Sequence, residues 1–209
     1  MPRILEKVER RLGEKLFLKG ERCLGPKCAC TRRAFPPGPK GSKRARGRGP
    51  SEYGELMREK QKMRFFYGLD DAEVKRYVDR ASHETGLFSA NFLRMIERRL
   101  DVIVWRLGLA PSRRSARQLI GHGHIAVNGR GVSVPSYAVR LGEKIGLTAR
   151  GQKAHPMPQG AEAQPRHVSL PRWLALDAGQ GEGTIAGMPE PDELGHSFDV
   201  VKIKEFYSR

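Results

Sequence analysis

The dipeptide Asn128-Gly129 most constrains the fold, because it separates two short apolar runs. These runs are HIAV, at 124–127, and GVSV, at 131–134. Both residues of an Asn-Gly pair tolerate positive φ, which the type I′ turn of a tight antiparallel hairpin requires. The sequence therefore predicts a β-hairpin centred on this pair.

An amphipathic helix is predicted immediately before the hairpin, from Ser112 to about Gly121. At about 100° per residue, Ala116, Leu119 and Ile120 share one side, which we expect to pack on a core. The opposite side carries Arg113, Arg114, Arg117 and Gln118. The guanidinium group of arginine can donate two parallel hydrogen bonds to the oxygens of one phosphate. This side is therefore predicted to face outward and contact nucleic acid. The hairpin adds His122, His124, Asn128 and Arg130 on its flank.

The charge of the chain supports a polyanionic partner. Thirty-nine Lys and Arg against twenty-three Asp and Glu give a net charge of +16 over 209 residues. Residues 1–50 carry fifteen basic and four acidic side chains, whereas residues 160–209 carry five against eight. Nucleic acid is the usual partner of such a distribution. We expect it to contact the first three quarters of the chain.

The first fifty residues are expected to form a basic, irregular extension. RRAFPPGPKGSKRARGRGP has neither helical nor strand periodicity, and it buries too little apolar surface to order alone. The extension is therefore predicted to order on its partner, with a solvated tail as the alternative. Its candidate contacts are Arg44, Arg46 and Arg48.

Residues 51–98 are predicted to form three amphipathic helices that pack as a small bundle. The first begins after Ser51, the second opens at Asp70 with Glu73 at capping-box spacing, and the third opens at Ser89. The first helix is also expected to present a basic side, formed by Arg58, Lys60, Lys62 and Arg64. The predicted fold class is therefore α+β, and residues 151–167 are predicted to form a loop.

Neither a metal site nor a catalytic site is predicted. No Cys, Asp or Glu lies within six residues of His122 or His124, and two ligands rarely hold a metal. Three further candidate ligands, all weak, are Cys23, Cys28 and Cys30. They lack a fourth ligand nearby, so thiols without zinc, and no cofactor, are expected.

Several stretches together resemble the family of bacterial small-subunit ribosomal protein four. The stretch at 99–145 looks like the alpha-L RNA-binding motif. The flanking matches are LFLKGERC, PPGPKG, PSEYGELMREKQKMRFFYG and the terminal EFYSR. The resemblance implies that an alpha-L domain of two helices and a small antiparallel sheet, at 99–189, is inserted into a helical domain. Residues 51–98 and about 190–209 would make up that helical domain.

The resemblance also implies a function. It implies a cytoplasmic, ribosomal protein that binds small-subunit ribosomal RNA early in assembly, at a multi-helix junction of the 5′ domain. The implied neighbours are the fifth small-subunit protein, other small-subunit proteins, and messenger RNA near the point where it enters the ribosome. The RNA-facing positions of the family match the arginines of the 112–121 helix and the polar residues of the hairpin.

Three departures from the family pattern are visible. Some family members bind zinc through two early cysteines and a later pair, but EKVERRLGEKLF contains no cysteine. Gly121 lies where relatives commonly carry a polar or basic residue. Residues 151–167 lack the helical pattern that the family suggests there, so a family helix is predicted to be shortened or missing.

Two other functions remain open from the residues alone. Pseudouridine synthases also carry an alpha-L unit, and their catalytic aspartate ends an Arg-Leu-Asp motif such as the one at 99–101. Here Asp101 opens the alpha-L unit instead of lying in a separate domain, so a capping role or an ion pair with a nearby arginine is expected. A small RNA-binding regulator is the other alternative. No apolar run approaches the roughly 20 residues that span a bilayer, and no membrane partner is expected.

Overall fold

The computed structural model describes residues 5–38, 51–154, 170–177, 181–191, 194 and 198–208. The helices in these ranges are α1 (Leu5–Leu12), α2 (Ala29–Arg32), α3 (Glu52–Tyr67), α4 (Asp71–His83), α5 (Phe88–Glu97), α6 (Leu100–Arg106), α7 (Arg113–Gly121), α8 (Ala149–Ala154) and α9 (Val200–Ser208). The strands are β1 (Ile125–Val127), β2 (Arg130–Gly131), β3 (Lys144–Leu147), β4 (Leu174–Asp177) and β5 (Glu182–Ile185). None of the described helices has the length and apolar character needed to span a bilayer.

The five strands form one sheet in the order β2-β1-β3-β5-β4, and every neighbouring pair is antiparallel. The fold class is therefore α+β, as predicted. The chain divides into two compact units. Unit 1 contains Met1–His83 and His196–Arg209, and unit 2 contains Glu84–Gly195. The sequence had placed α5 with the preceding helices, but the structure groups it with the alpha-L unit.

The N-terminal segment is less irregular than predicted. It contains α1, a 3₁₀ turn at Gly20–Cys23 and α2, and its apolar side chains include the buried Leu12 and Leu16. The carboxylate of Glu9, only 1% exposed, accepts hydrogen bonds from the backbone N–H groups of Leu16 and Leu18, both at 3.1 Å. A buried acid thus organises the turn that follows α1. The candidate contacts Arg44, Arg46 and Arg48 lie outside the described residues.

Helices α3 and α4 begin where their capping residues predict. The Ser51 hydroxyl accepts from Gly54 N at 3.2 Å. Asp70 and Glu73 each accept from the backbone N–H of the other, at 2.7 and 3.0 Å, which completes the capping box. On α3, Leu56, Met63 and Tyr67 are buried, whereas Tyr53 is 52% exposed.

The C-terminal helix returns to unit 1, as predicted for the last stretch of the chain. The aromatic ring of Phe206, in α9, lies 5.7 Å from that of Tyr53, and Phe198 lies 5.9 Å from Tyr67. Ile203 is fully buried. Residues far apart in sequence therefore complete one core.

The core of unit 2 joins α6 and α7 to the sheet. Its buried members include Leu100, Ile103, Leu107, Ala116, Ile120, Ile125, Ile145, Trp173 and Ile185. The buried side of α5 is formed by Phe92, Leu93 and Ile96. The start predicted at Ser89 was wrong, because α5 begins at Phe88 after Leu87, whose side chain makes no capping hydrogen bond.

The predicted hairpin is present, with a shorter second strand. Asn128 and Gly129 have φ values of 49° and 76°, as a type I′ turn requires. Val127 pairs with Arg130, and of the predicted strand at 131–134 only Gly131 belongs to β2. The loop predicted beyond Arg150 begins later, since α8 extends to Ala154. Residues 155–167 of that prediction lie outside the described ranges.

Candidate nucleic-acid interface

Helix α7 is fixed in place by a cap and by its apolar side. The Ser112 hydroxyl accepts a hydrogen bond from Ser115 N at 3.2 Å, which satisfies one of the unpaired N–H groups at the helix start. Ala116 and Ile120 are fully buried and Leu119 is 6% exposed. The apolar side predicted from the sequence is thus confirmed. The opposite side of α7 is therefore held at a fixed orientation.

Only part of that opposite side faces solvent. Arg114 and Gln118 are exposed, as predicted. The side chain of Arg117 is 24% exposed, and its Nε donates to Oδ2 of Asp101 at 2.6 Å. The guanidinium group of Arg117 is therefore held by Asp101, while part of its side chain remains accessible to solvent.

Arg113 does not project outward, so this part of the prediction was wrong. Its side chain lies over Trp105, with the guanidinium carbon 3.6 Å from the centre of the ring, and the residue is 8% exposed. A stacked guanidinium is attracted to the negative face of an indole, and the contact is stronger when both groups are shielded from water. Arg113 is thus part of the packing between α6 and α7.

Asp101 pairs with nearby arginines, which was one of the two structural roles expected for it. Its carboxylate is 1% exposed, accepts hydrogen bonds from Arg99 through both oxygens at 3.0 and 2.9 Å, and also accepts one from Arg117. A carboxylate enclosed in this way is not accessible to a nucleobase. The geometry therefore gives Asp101 a structural role.

The turn after α7 separates the two histidines. His122 is exposed, whereas His124 is 8% exposed, so the prediction that both lie on the surface was wrong for His124. Their rings lie 6.1 Å apart. His124 immediately precedes β1. Of the two, only His122 presents an imidazole to solvent.

The hairpin tip combines a structural side chain with a solvent-facing one. Oδ1 of Asn128 accepts from Lys144 N at 2.9 Å, and its own N–H donates to the Lys144 carbonyl at 2.8 Å. Asn128 thereby pins the turn to β3 while remaining exposed. Arg130 is also exposed, on the strand that follows.

The basic side predicted on α3 was wrong for most of its residues. Lys60 is 7% exposed and pairs with Asp71 at 2.9 Å, while Lys62 is 6% exposed and pairs with Glu14 and Glu59. Residues two positions apart on a helix point in different directions, so these four cations do not all lie on one face of α3. Arg64 also pairs with Asp71, at 3.2 Å, which leaves Arg58 as the exposed member of the set.

Helix α8 adds two cations that the sequence had not suggested. Arg150 and Lys153 are both exposed. The only local signal was Thr148, whose hydroxyl accepts from Gly151 N at 3.1 Å as a helix cap. Unit 2 thus carries a group of exposed polar and cationic side chains that have no hydrogen-bond or ion-pair partner within the described residues: Arg114, Gln118, His122, Arg130, Arg150 and Lys153.

No group of three or more His, Cys, Asp or Glu side chains is arranged to hold a metal within the described ranges, which include Cys23, Cys28 and Cys30. Burial, reinforced by the negative charge of Glu9, raises the pKa of Cys30 from 9.0 to about 12. Zinc binds the thiolate, so a thiol that keeps its proton is a poor ligand. The carboxylate beside Cys30, that of Glu9, already binds two backbone N–H groups.

Comparison with known proteins matches both parts of the chain to family models. Residues 5–97 match the Ribosomal protein S4/S9 N-terminal domain, and residues 98–145 match the S4 domain. The second match covers α6, α7 and the hairpin, which carry Arg114, Gln118, His122 and Arg130 of the exposed group described above. The first covers α1 to α5.

Whole-chain relatives point to the same family. The protein named Small ribosomal subunit protein uS4 of Halothermothrix orenii is 44% identical over 200 residues, covering 96% of this chain and 94% of the relative. The protein of that name from Thermus thermophilus is also 44% identical, with the same coverage. That of Syntrophobacter fumaroxidans is 41% identical over 204 residues, covering 97% and 96%. The chain therefore belongs to the small ribosomal subunit protein uS4 family.

Proposed function

We propose that this chain is a structural constituent of the small ribosomal subunit that binds small-subunit ribosomal RNA. The observation that carries the proposal is the exposed side of α7, where Arg114 and Gln118 project from a helix whose other side is buried in a core. Because the core holds α7 in place, the backbone that carries Arg114 loses little further conformational entropy when the side chain binds phosphate. The family membership and the net charge of +16 support the same partner.

A finer proposal concerns where and with what the protein assembles. We place its RNA site at a multi-helix junction of the 5′ domain, bound early, so that the protein nucleates assembly and contributes to translational accuracy. Its proposed neighbours are the fifth small-subunit protein, other small-subunit proteins, and messenger RNA where it enters the ribosome. The resemblance to the family is what supports these details. The ribosome would keep the protein in the cytoplasm.

The proposed function requires neither catalysis nor a cofactor. Pseudouridine formation, the enzymatic alternative, needs an aspartate that reaches the base, whereas Asp101 is enclosed by Arg99 and Arg117. We also propose that Cys23, Cys28 and Cys30 bind no zinc. A free-standing RNA-binding regulator is less well supported, since the relatives above match the chain over nearly its full length.

The experiment is a titration of the purified protein against an in vitro transcript of the 5′ domain of small-subunit ribosomal RNA, at several salt concentrations. Arg114→Gln should weaken binding and make the plot of log affinity against log salt shallower by roughly 0.9, the value for one lost phosphate contact. The matched control is Arg80→Gln, which replaces another exposed arginine, on α4. Equal affinities and slopes for all three proteins would contradict the proposed interface.

A further inference from the structure

Helix α8 is held against the turn that follows α7 by unusually close backbone contact. A Cβ atom placed on Gly151 would lie 2.4 Å from the carbonyl oxygen of His124, so only glycine allows the observed approach. Thr148 adds two hydrogen bonds, from its N–H to that same carbonyl at 2.9 Å and from its hydroxyl to the Gly123 carbonyl at 3.1 Å. The start of α8 and the end of α7 are therefore fixed to one another.

This contact decides which side of α8 faces solvent. On a helix of about 100° per residue, Arg150 and Lys153 lie about 60° apart and well away from Gly151. Both are exposed, and within the described residues neither has an acidic or hydrogen-bonding partner. Two cations thus project from a short helix whose buried glycine is seated on the same turn that presents His122.

We propose that α8 is a second RNA-contacting element of this unit, with Arg150 and Lys153 binding phosphates of the RNA beside those bound by α7. The inference rests on the proposed function and extends it to a separate set of residues. The occupant is a phosphodiester backbone, because two exposed cations about 60° apart on a helix present positive charge to phosphate oxygens.

The test compares three proteins in the same 5′-domain transcript titration. They are the parent chain, the variant Arg150→Gln with Lys153→Gln, and the control Lys75→Gln with Arg80→Gln. The control removes one lysine and one arginine, both exposed on α4, so its net charge equals that of the test variant. Neither pair contributes to a core, so the unfolding curves should coincide.

The test variant should bind roughly 60-fold more weakly at about 0.1 M salt, and its salt slope should be shallower by roughly 1.8, as expected for two lost phosphate contacts. The control should bind like the parent. A further variant, Gly151→Ala, keeps both charges but separates α8 from the turn, and it should also weaken binding.

Each other outcome overturns the proposal. If the test variant binds like the parent while Arg114→Gln still weakens binding, α8 has no RNA contact and the proposed function stands. If neither variant changes binding, the proposed interface on α7 fails as well, and the proposed function itself fails if the parent chain does not bind the transcript. If the control loses as much RNA affinity as the test variant, the loss reflects net charge and not a contact made by α8. If the test variant loses binding to phosphatidylserine vesicles but keeps its RNA affinity, the cations serve a membrane surface instead.

Discussion

The Nε of Arg117 donates to Oδ2 of Asp101 over 2.6 Å, so a residue of α7 is bonded to a carboxylate that is 1% exposed. The same carboxylate binds Arg99 through both oxygens. One buried negative charge therefore compensates two arginines and fixes the register between α6 and α7.

Asp101→Asn should lower the free energy of unfolding by about 3–5 kcal/mol, because it leaves the buried Arg99 without its counter-charge. Arg117→Gln should cost at most about 1 kcal/mol, since Asp101 keeps its pairing with Arg99. Urea unfolding of the two variants measures the difference. Equal losses would show that the buried carboxylate is not the centre of this contact.

Arg113→Gln should lower the free energy of unfolding by about 1–2 kcal/mol, because it removes a cation stacked on a buried indole. It should also change the fluorescence of Trp105, whose ring the guanidinium covers at 3.6 Å. Arg114→Gln, on the adjacent exposed position, is the control and should leave both measurements unchanged. If the two variants unfold alike, the stacking contact has no energetic weight.

Gly121→Ala should raise the free energy of unfolding by up to roughly 1 kcal/mol, because glycine is a poor helix former and an added Cβ here meets no atom within 4 Å. Gly121→Arg should instead raise the affinity for the 5′-domain transcript, since it adds a cation beside Gln118. Thermal unfolding and RNA titration test the two effects separately. If both variants were less stable than the parent, the added side chains would clash with their surroundings, which would contradict the open space around Gly121.

Asn128→Ala should destabilise unit 2 by about 1–2 kcal/mol, through loss of the hydrogen bond to Lys144 N and the cost of a left-handed backbone. Asn128→Gly should cost less, because it keeps the favoured φ. Asn128→Asp should retain the acceptor and hence most of the stability, while its added negative charge weakens RNA binding. Urea unfolding and RNA titration of the series should follow this order.

The stability of unit 1 should fall at alkaline pH. The raised pKa of Cys30, about 12 against an ordinary 9.0, arises from burial and from the charge of Glu9. Burial likewise raises the pKa of Tyr207 to about 12. Both groups bind their protons more tightly when folded, so their stabilising contribution is complete below about pH 9 and is lost as pH rises toward about 12.

Urea unfolding at about pH 8 and about pH 10.5 checks this dependence. Cys30→Ala should show a smaller fall between the two conditions than the parent. Tyr207→Phe, which removes the second titrating group, should also reduce the fall. An unchanged fall in both variants would assign the alkaline loss to other groups.

Local signals predicted the elements that local chemistry determines. The capping box at Asp70 and the cap at Ser112 lie where the sequence placed them, because partners within a few residues satisfy them. The turn at Asn128-Gly129 was predictable because both residues tolerate the positive φ that it requires. The apolar side of α7 was equally predictable, since helical spacing alone defines it.

Residues whose partners come from elsewhere could not be predicted. Arg113 faces Trp105 of another helix, and Lys62 pairs with Glu14, far away in sequence. The sequence showed these two cations as surface charges because nothing local marks a distant aromatic ring or carboxylate. Helix α8 was missed because so short a helix shows too little hydrophobic periodicity. The need for glycine at position 151 was also not visible, because it arises from a close contact with the backbone of His124.

The packing of α9 on α3 has a consequence for the order in which the protein folds during its own synthesis. Unit 2 is one continuous stretch of chain, whereas unit 1 needs both the first and the last residues. A nascent chain emerges with its N-terminus first, so unit 2 can close while α3 still lacks its partner helix. The ring of Tyr67 lacks its contact with Phe198 until residues 198–208 have also been synthesised.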